Sequence, residues 1–234
     1  MTAKILTAVL QTIGDPKKAE HSYHFFKAFP GGYGEGDKFL GIKVPVLRDR
    51  AKEYKNLVLP EVGKLLRSEW HEARLLALFI LVGQFKRKKP DVKAEIYQLY
   101  LDHLLYVNNW DLVDSSAHYI MGVWLLDKDR KILYDLARSA KLWERRIGIM
   151  STFHFIRQLQ FNDTLAISLI LLHDAEDMIH KAVGWMLREI GNRDGVTERD
   201  FLKSRYQTMP RTMLRYAIEK FPAAERQGYL KGTI

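Results

Sequence analysis

Apolar residues recur at helical spacing along nearly the whole chain, and alternating β-branched runs closed by tight hairpin turns do not occur. Five apolar helices stand out: EARLLALFIL at 72–81, WDLVDSSAHYIMGVWLL at 110–126, ERRIGIMSTFHFI at 144–156, HKAVGWMLREI at 180–190 and PRTMLRYAIEKF at 210–221. Shorter amphipathic segments separate them, such as PDVKAEIYQLYLDHLL at 90–105 and KILYDLARSAK at 131–141. The opening MTAKILTAVLQTIG predicts a first amphipathic helix rather than a signal peptide, because no small-residue cleavage site precedes the next charges. The Gly-rich stretch FPGGYGEGDKFLGIKVP, 29–45, predicts a loop with a helix starting at Pro45. It lacks the Lys-Ser/Thr of a P-loop and the spacing of a dinucleotide fingerprint.

Anchored on Arg74, Trp110, Arg146, Lys181 and Arg211, the five helices follow one another at steps of 36, 36, 35 and 30 residues. That is a helix–turn–helix unit of roughly 35–40 residues, repeated. Such units stack into a curved solenoid in which each buries its face on its neighbours. The predicted fold is therefore all-α, with residues 1–234 forming one continuous domain.

Near the start of the repeated helix, four of the five copies carry Arg74, Arg146, Lys181 and Arg211. Stacked, these cations would line one groove, where helix N-termini also present unpaired N–H groups to an anion. A first-turn cation opposes the helix dipole, a cost that simple solvation of a helix end leaves unexplained. The composition points the same way: 37 Lys+Arg against 28 Asp+Glu give a net charge of +9, which fits a phosphate-bearing partner. Hydrophobic residues make up 47% of the chain, enough for a substantial core. There are no cysteines, which excludes disulfides, thiolate zinc sites and cysteine nucleophiles. No His-Glu-x-x-His or similar pattern occurs, so no metal is expected. No apolar run approaches the ~18 residues needed to cross a membrane, and a cytoplasmic protein is the expectation.

The second repeat breaks the pattern. Where its sisters place a cation, it has Trp110-Asp111. Asn108 or Asn109 can cap this helix, and Asp111 suits its positive end. Val113, Ala117, Ile120, Met121 and Trp124 make the buried stripe. Trp110 and Asp114 lie one turn apart on another face. An acid in a basic groove repels phosphate, but a carboxylate beside an aromatic ring suits a cationic group. A second reading pairs Asp114 with Arg145 or Arg146 of the next repeat; spacing alone leaves both open. His118, at i+8 from Trp110, is expected to be a satisfied helix histidine rather than a proton relay. Trp70, Trp124 and Trp143 fit packing between repeats. KRKK at 86–89 fits a solvated turn.

The segments KFLGIKVPVLR (38–48), WDLVD (110–114), WERRIGI (143–149) and KAVGWMLREIG (181–191), in this order, make the chain resemble the AlkD-type DNA alkylation repair glycosylases, which are built from HEAT-like repeats. The resemblance implies a right-handed solenoid of HEAT-like repeats. It implies hydrolysis of the N-glycosidic bond of cationic N3- and N7-alkylated purines, such as 3-methyladenine and 7-methylguanine, in double-stranded DNA, with no cofactor. The family's catalytic aspartate falls on Asp114 and its two groove tryptophans on Trp110 and Trp185. Its DNA-contacting arginine falls on Arg146, with Arg188 at a further basic position. Lys181, Arg211, Arg74, Lys43 and Arg48 complete the expected DNA contacts. The stretch PGGYGEGD is longer than in compact members, and its role is open.

An alkylated purine of this kind already carries positive charge and leaves as a neutral base, which relaxes the demand for a general acid. The sugar becomes oxocarbenium-like, and a fixed carboxylate stabilises it and helps deprotonate the attacking water. Such a groove favours an approach to the backbone with the base left in the duplex, unlike a flipped-base pocket. A monomer is the simplest expectation. Two other classes stand beside this one: a non-catalytic HEAT-repeat scaffold for unusual DNA or a protein partner, and a basic solenoid that binds RNA.

Overall fold

The helix expected at 72–81 is longer than its apolar pattern, running from His71 to Arg87, and it is buried on nearly every side. An all-round apolar helix belongs at the centre of a core. Around it pack Val44–Glu53, Leu59–Leu66, Ala3–Thr12, Pro90–Asp102 and Trp110–Asp114, with Pro16–Phe25 between the first two in the chain. In the computed structural model, which describes residues 1–234, these helices make up the first of two compact units, Met1–Ser116. Start signals are local. Asp15 accepts from the amides of Lys17 and Lys18 at 3.1 and 3.3 Å, and Pro16 opens the helix that follows. The only strand-like feature is an isolated parallel bridge between Lys38 and Trp70.

The loop before Val44–Glu53 is held by a buried carboxylate. Glu72 accepts the amides of Leu40, Gly41 and Ile42 at 2.9, 2.8 and 3.2 Å. Gly41 has φ of +77°, and a Cβ there would lie 2.2 Å from the carbonyl oxygen of Asp15. Only glycine satisfies both the turn and the approach. The FLGI motif is thus a backbone cradle filled by Glu72.

The second unit, Ala117–Ile234, contains Lys131–Ala137, Leu142–Ser151, Phe153–Arg157, Asn162–Ile170, Asp177–Gly191, Gly195–Lys203, Arg211–Ala217 and Ala223–Lys231, preceded by a π-helical turn, His118–Gly122. Asp177–Gly191 packs on Leu142–Ser151, on Gly195–Lys203 and most extensively on Arg211–Ala217. The helices carrying Arg146, Lys181 and Arg211 therefore contact in series. Gly184 permits the last contact, since a Cβ there would sit 2.4 Å from the Met213 carbonyl oxygen.

Two long expected helices are broken. The segment at 144–156 becomes Leu142–Ser151 and Phe153–Arg157. Ser151 and Thr152 each turn a hydroxyl back onto a helical carbonyl, Ile147 and Ile149, both at 2.7 Å, a contact that bends helices. The α-helix at 110 ends at Asp114, with Ser115 as its C-cap, and Ser116 donates to the carbonyl of Leu112 at 2.6 Å. No helix is long and apolar enough to cross a membrane.

Candidate functional site

Trp110 and Asp114 bracket a helix of five residues. Leu112 and Val113 on its inner side are fully buried, while Trp110, Asp111 and Asp114 remain half-buried. Asn109, extended and fully buried, caps the helix by accepting from the Trp110 amide at 2.9 Å. The expected buried stripe holds for Val113, Ala117, Ile120 and Met121, all at 0% exposure. The Asp114 charge acts on the buried hydroxyl of Tyr100. Burial first, then that charge, push the phenol well above its usual range despite a hydrogen bond with Ser116.

The Trp110 ring is built into an aromatic cluster from the Gly-rich side of the unit. Phe26 stacks on it with centroids 5.5 Å apart at 26°, and Phe25 meets it edge-on at 6.0 Å. Phe26 also stacks on Phe39 at 5.2 Å and contacts the His71 ring at 4.9 Å. Phe25 is 56% exposed, so this aromatic surface reaches solvent beside Trp110.

Asp111 does more than suit a helix end. Its Oδ1 accepts the Leu112 amide, and its Oδ2 lies 2.8 Å from His71 Nε2. His71 Nδ1 in turn lies 2.9 Å from Asp37 Oδ2. Asp37 also receives the Arg74 guanidinium and, at 3.3 Å, the Asn109 amide. The residue that closes PGGYGEGD is thus the hub of a buried polar cluster. Burial pushes the Asp37 carboxyl up, but the His71 hydrogen bond and the Arg74 charge outweigh it and hold it below the usual carboxylate range.

The basic positions are less uniform than a row of free cations. Arg74 is a correction: it is 4% exposed, paired with Asp37, and donates to the carbonyls of Ser68 and Glu69. The reason is its place on a helix buried on nearly all sides. Lys43 and Arg48 are exposed, with Arg48 over the Phe79 ring at 5.4 Å. Lys86, Arg87, Lys88 and Lys89 are exposed, but Lys86 and Arg87 lie in the last turn of the helix and only Lys88 and Lys89 form the link to Pro90.

In the second unit, Arg146 is corrected on the same ground as Arg74: it is 4% exposed on the buried side of Leu142–Ser151 and donates to the carbonyl of Met178. Arg145 is engaged by Asp174 at 2.6 and 3.2 Å. Lys181 pairs with Asp177 at 2.7 Å, Arg188 pairs with Glu219, and the exposed Arg211 donates to the Leu230 carbonyl at 2.9 Å. Trp185 is half-buried, bonds Glu189 at 3.3 Å and lies 6.1 Å from Phe153. Phe153, which the sequence pattern had not singled out, carries Arg157 at 6.0 Å and Arg193 at 5.9 Å over its ring. His118 is buried against Tyr119 and Phe153.

Trp110 and Asp114 therefore share one helix of the first unit, and Trp185, Arg188 and Lys181 share one helix of the second. An aromatic ring next to an acid on one helix, and a ring between two cations on the other, are the ingredients of a protein that handles nucleic acid. Residues 6–221 match the family of DNA alkylation repair enzymes, and the chain belongs to that family. Among solved structures, it is similar to one described as a predicted DNA alkylation repair enzyme from Enterococcus faecalis. The TM-score is 0.70 at 15% identity, covering 90% of this chain and 97% of that one. At that identity the likeness is one of fold. No curated protein matches the sequence.

Proposed function

We propose that the protein is a DNA glycosylase that hydrolyses the N-glycosidic bond of cationic N3- or N7-alkylated purines in duplex DNA. The observation that carries this reading is the pair Trp110 and Asp114, an aromatic ring and a carboxylate held one turn apart and half-buried on a helix whose other face is in the core. Membership of a DNA alkylation repair family supports the substrate. The scaffold in this reading is a single domain of HEAT-like repeats wound as a right-handed solenoid, acting as a monomer.

The chemistry balances without a cofactor. The bond from C1′ to the purine nitrogen breaks, its electron pair cancels the charge of the alkylated base, and the base departs neutral. Asp114 stabilises the positive charge that collects on the sugar and takes the proton of the water that adds to C1′. The faces of Trp110 and Trp185 favour a cationic lesion over a neutral base. Arg188, Lys181, Arg211, Lys43 and Arg48 supply phosphate contacts that set the register, while Arg146 ties its helix to the Met178 carbonyl. For Arg188 and Lys181 a phosphate replaces Glu219 or Asp177. The base stays in the duplex while the protein approaches the backbone.

The test is the product. Incubated with methylated duplex DNA, the protein is expected to release free 7-methylguanine or 3-methyladenine and leave abasic sites. Retained duplex binding with no base released at any salt concentration would favour the binding-only scaffold.

A further inference from the structure

A histidine that lies between two carboxylates has little choice of protonation state. Both His71 ring nitrogens face carboxylate oxygens, at 2.9 Å from Asp37 and 2.8 Å from Asp111. Ionised carboxylates only accept, so each contact is a hydrogen bond only if each nitrogen carries a proton. A neutral ring would satisfy one acid and turn a lone pair on the other. The local charges also close: Asp37 and Asp111 against His71 and Arg74, the charged groups of the loop, the site helix and the His71–Arg87 helix that meet in the cluster.

The cluster grips the site helix on both sides of Trp110. Asn109, before it, is tied to Asp37; Asp111, after it, is tied to His71. A third link is aromatic, because Phe26 contacts the His71 ring on one side and stacks on Trp110 on the other. Burying three charges beside a half-buried fourth is a poor way to gain stability, since apolar residues of similar volume commonly do as well. Their use here is geometric.

We propose that His71, as an imidazolium clasped between Asp37 and Asp111, is the positioning residue that sets Trp110 and Asp114 for attack on the lesion; the catalytic half of this statement rests on the glycosylase reading. Burial opposes the charge on His71, but the charge and hydrogen bond of Asp111, with those of Asp37, raise its pKa to about 9. The clasp is therefore closed at neutral pH and opens as the pH rises through about 9. Misplacing reacting groups by about 1 Å costs on the order of 10²-fold in rate.

The experiment follows Trp110 and excision together. The protein is labelled with fluorotryptophan, the Trp110 signal is assigned with Trp110→Phe, and 19F spectra and steady-state excision of 7-methylguanine are recorded from neutral to alkaline pH. In the wild type the Trp110 signal is expected to move with a midpoint near 9. With the same midpoint, kcat should fall about tenfold or more while KM changes less than about threefold. In Asp111→Asn a neutral His71 donates to Asp37 and accepts from the new amide, so both midpoints should vanish. In His71→Gln the signal should sit at its alkaline position already at neutral pH, with kcat reduced about 10- to 100-fold and duplex binding retained.

A Trp110 signal that is the same in wild type and His71→Gln across the range overturns the proposal. So does an Asp111→Asn protein that titrates like the wild type, which covers the case of a His71 variant that fails to fold. Should the wild type excise nothing while Trp110 still follows His71, the glycosylase reading falls and the positioning stands. Should it excise normally while Trp110 ignores His71, the reverse holds.

Discussion

The helices Trp110–Asp114 and Asp177–Gly191 each carry a candidate tryptophan, and they are held in opposite ways. Asp177–Gly191 has 15 residues, with Ile179, Ala182, Val183, Met186, Leu187 and Ile190 all fully buried. Its position follows from packing. Trp110–Asp114 has five residues and buries two. A helix that short has no stability of its own. It is seated by Asn109, Asp37, His71 and Asp111, a polar cluster that fixes direction as well as depth. The lesson is that the side chain requiring the finest placement, Asp114, sits on the one of these two helices with less packing and more directional bonds.

The sharpest way to break that contrast is Asp37→Leu. It strands Arg74 as a buried charge and leaves His71 with Asp111 alone, and denaturant unfolding should show a loss of about 3–5 kcal/mol. Gly184→Ala attacks the packed helix instead, by placing a methyl group against the Met213 carbonyl. Overpacking of this kind should cost about 1–3 kcal/mol while leaving the Trp110 fluorine signal where it was.

Glu198, in the second unit, is a buried acid with no such cluster. It is 2% exposed, its Oε1 lacks a hydrogen-bond partner, and its pKa is pushed up to about 8 by burial, with the Arg199 and Arg188 charges only partly opposing. An acid whose folded pKa is raised binds its proton more tightly in the native state. Stability is then complete below the usual carboxylate pKa and declines as pH rises toward about 8. Glu198→Gln should match the wild type in acid and exceed it above pH 8 by on the order of 1–3 kcal/mol, read as a higher Tm. The smallest effect is expected from Lys181→Ala, which removes a partly exposed pair with Asp177. Stability should change by less than about 1 kcal/mol, while the salt dependence of duplex binding loses about one unit of slope.

How much of this was legible in the sequence follows the same divide. Helical periodicity marked Asp177–Gly191 almost to its ends, because packing is written as spacing of apolar residues. It ran straight through Ser115 and Thr152, where the helices actually stop, because the hydroxyls of Ser116, Ser151 and Thr152, turned back onto carbonyls, leave no trace in an apolar pattern. Trp110 and Asp114 were visible as a break in a basic register. Arg74 and Arg146 were misjudged by that register, which gives residue type and not exposure. The cluster itself was invisible: Asp37 and His71 lie 34 positions apart and His71 and Asp111 lie 40 apart. No local motif joins a Gly-rich loop to two helices.

The most direct measurement is the single-turnover rate of 7-methylguanine release from duplex DNA by wild type and Asp114→Asn, with duplex affinity measured alongside. Asp114 as the stabiliser of the sugar cation predicts a loss of about 10²–10³-fold in rate with affinity kept or raised, since a carboxylate that repels phosphate has been removed. Equal rates in the two proteins would contradict it.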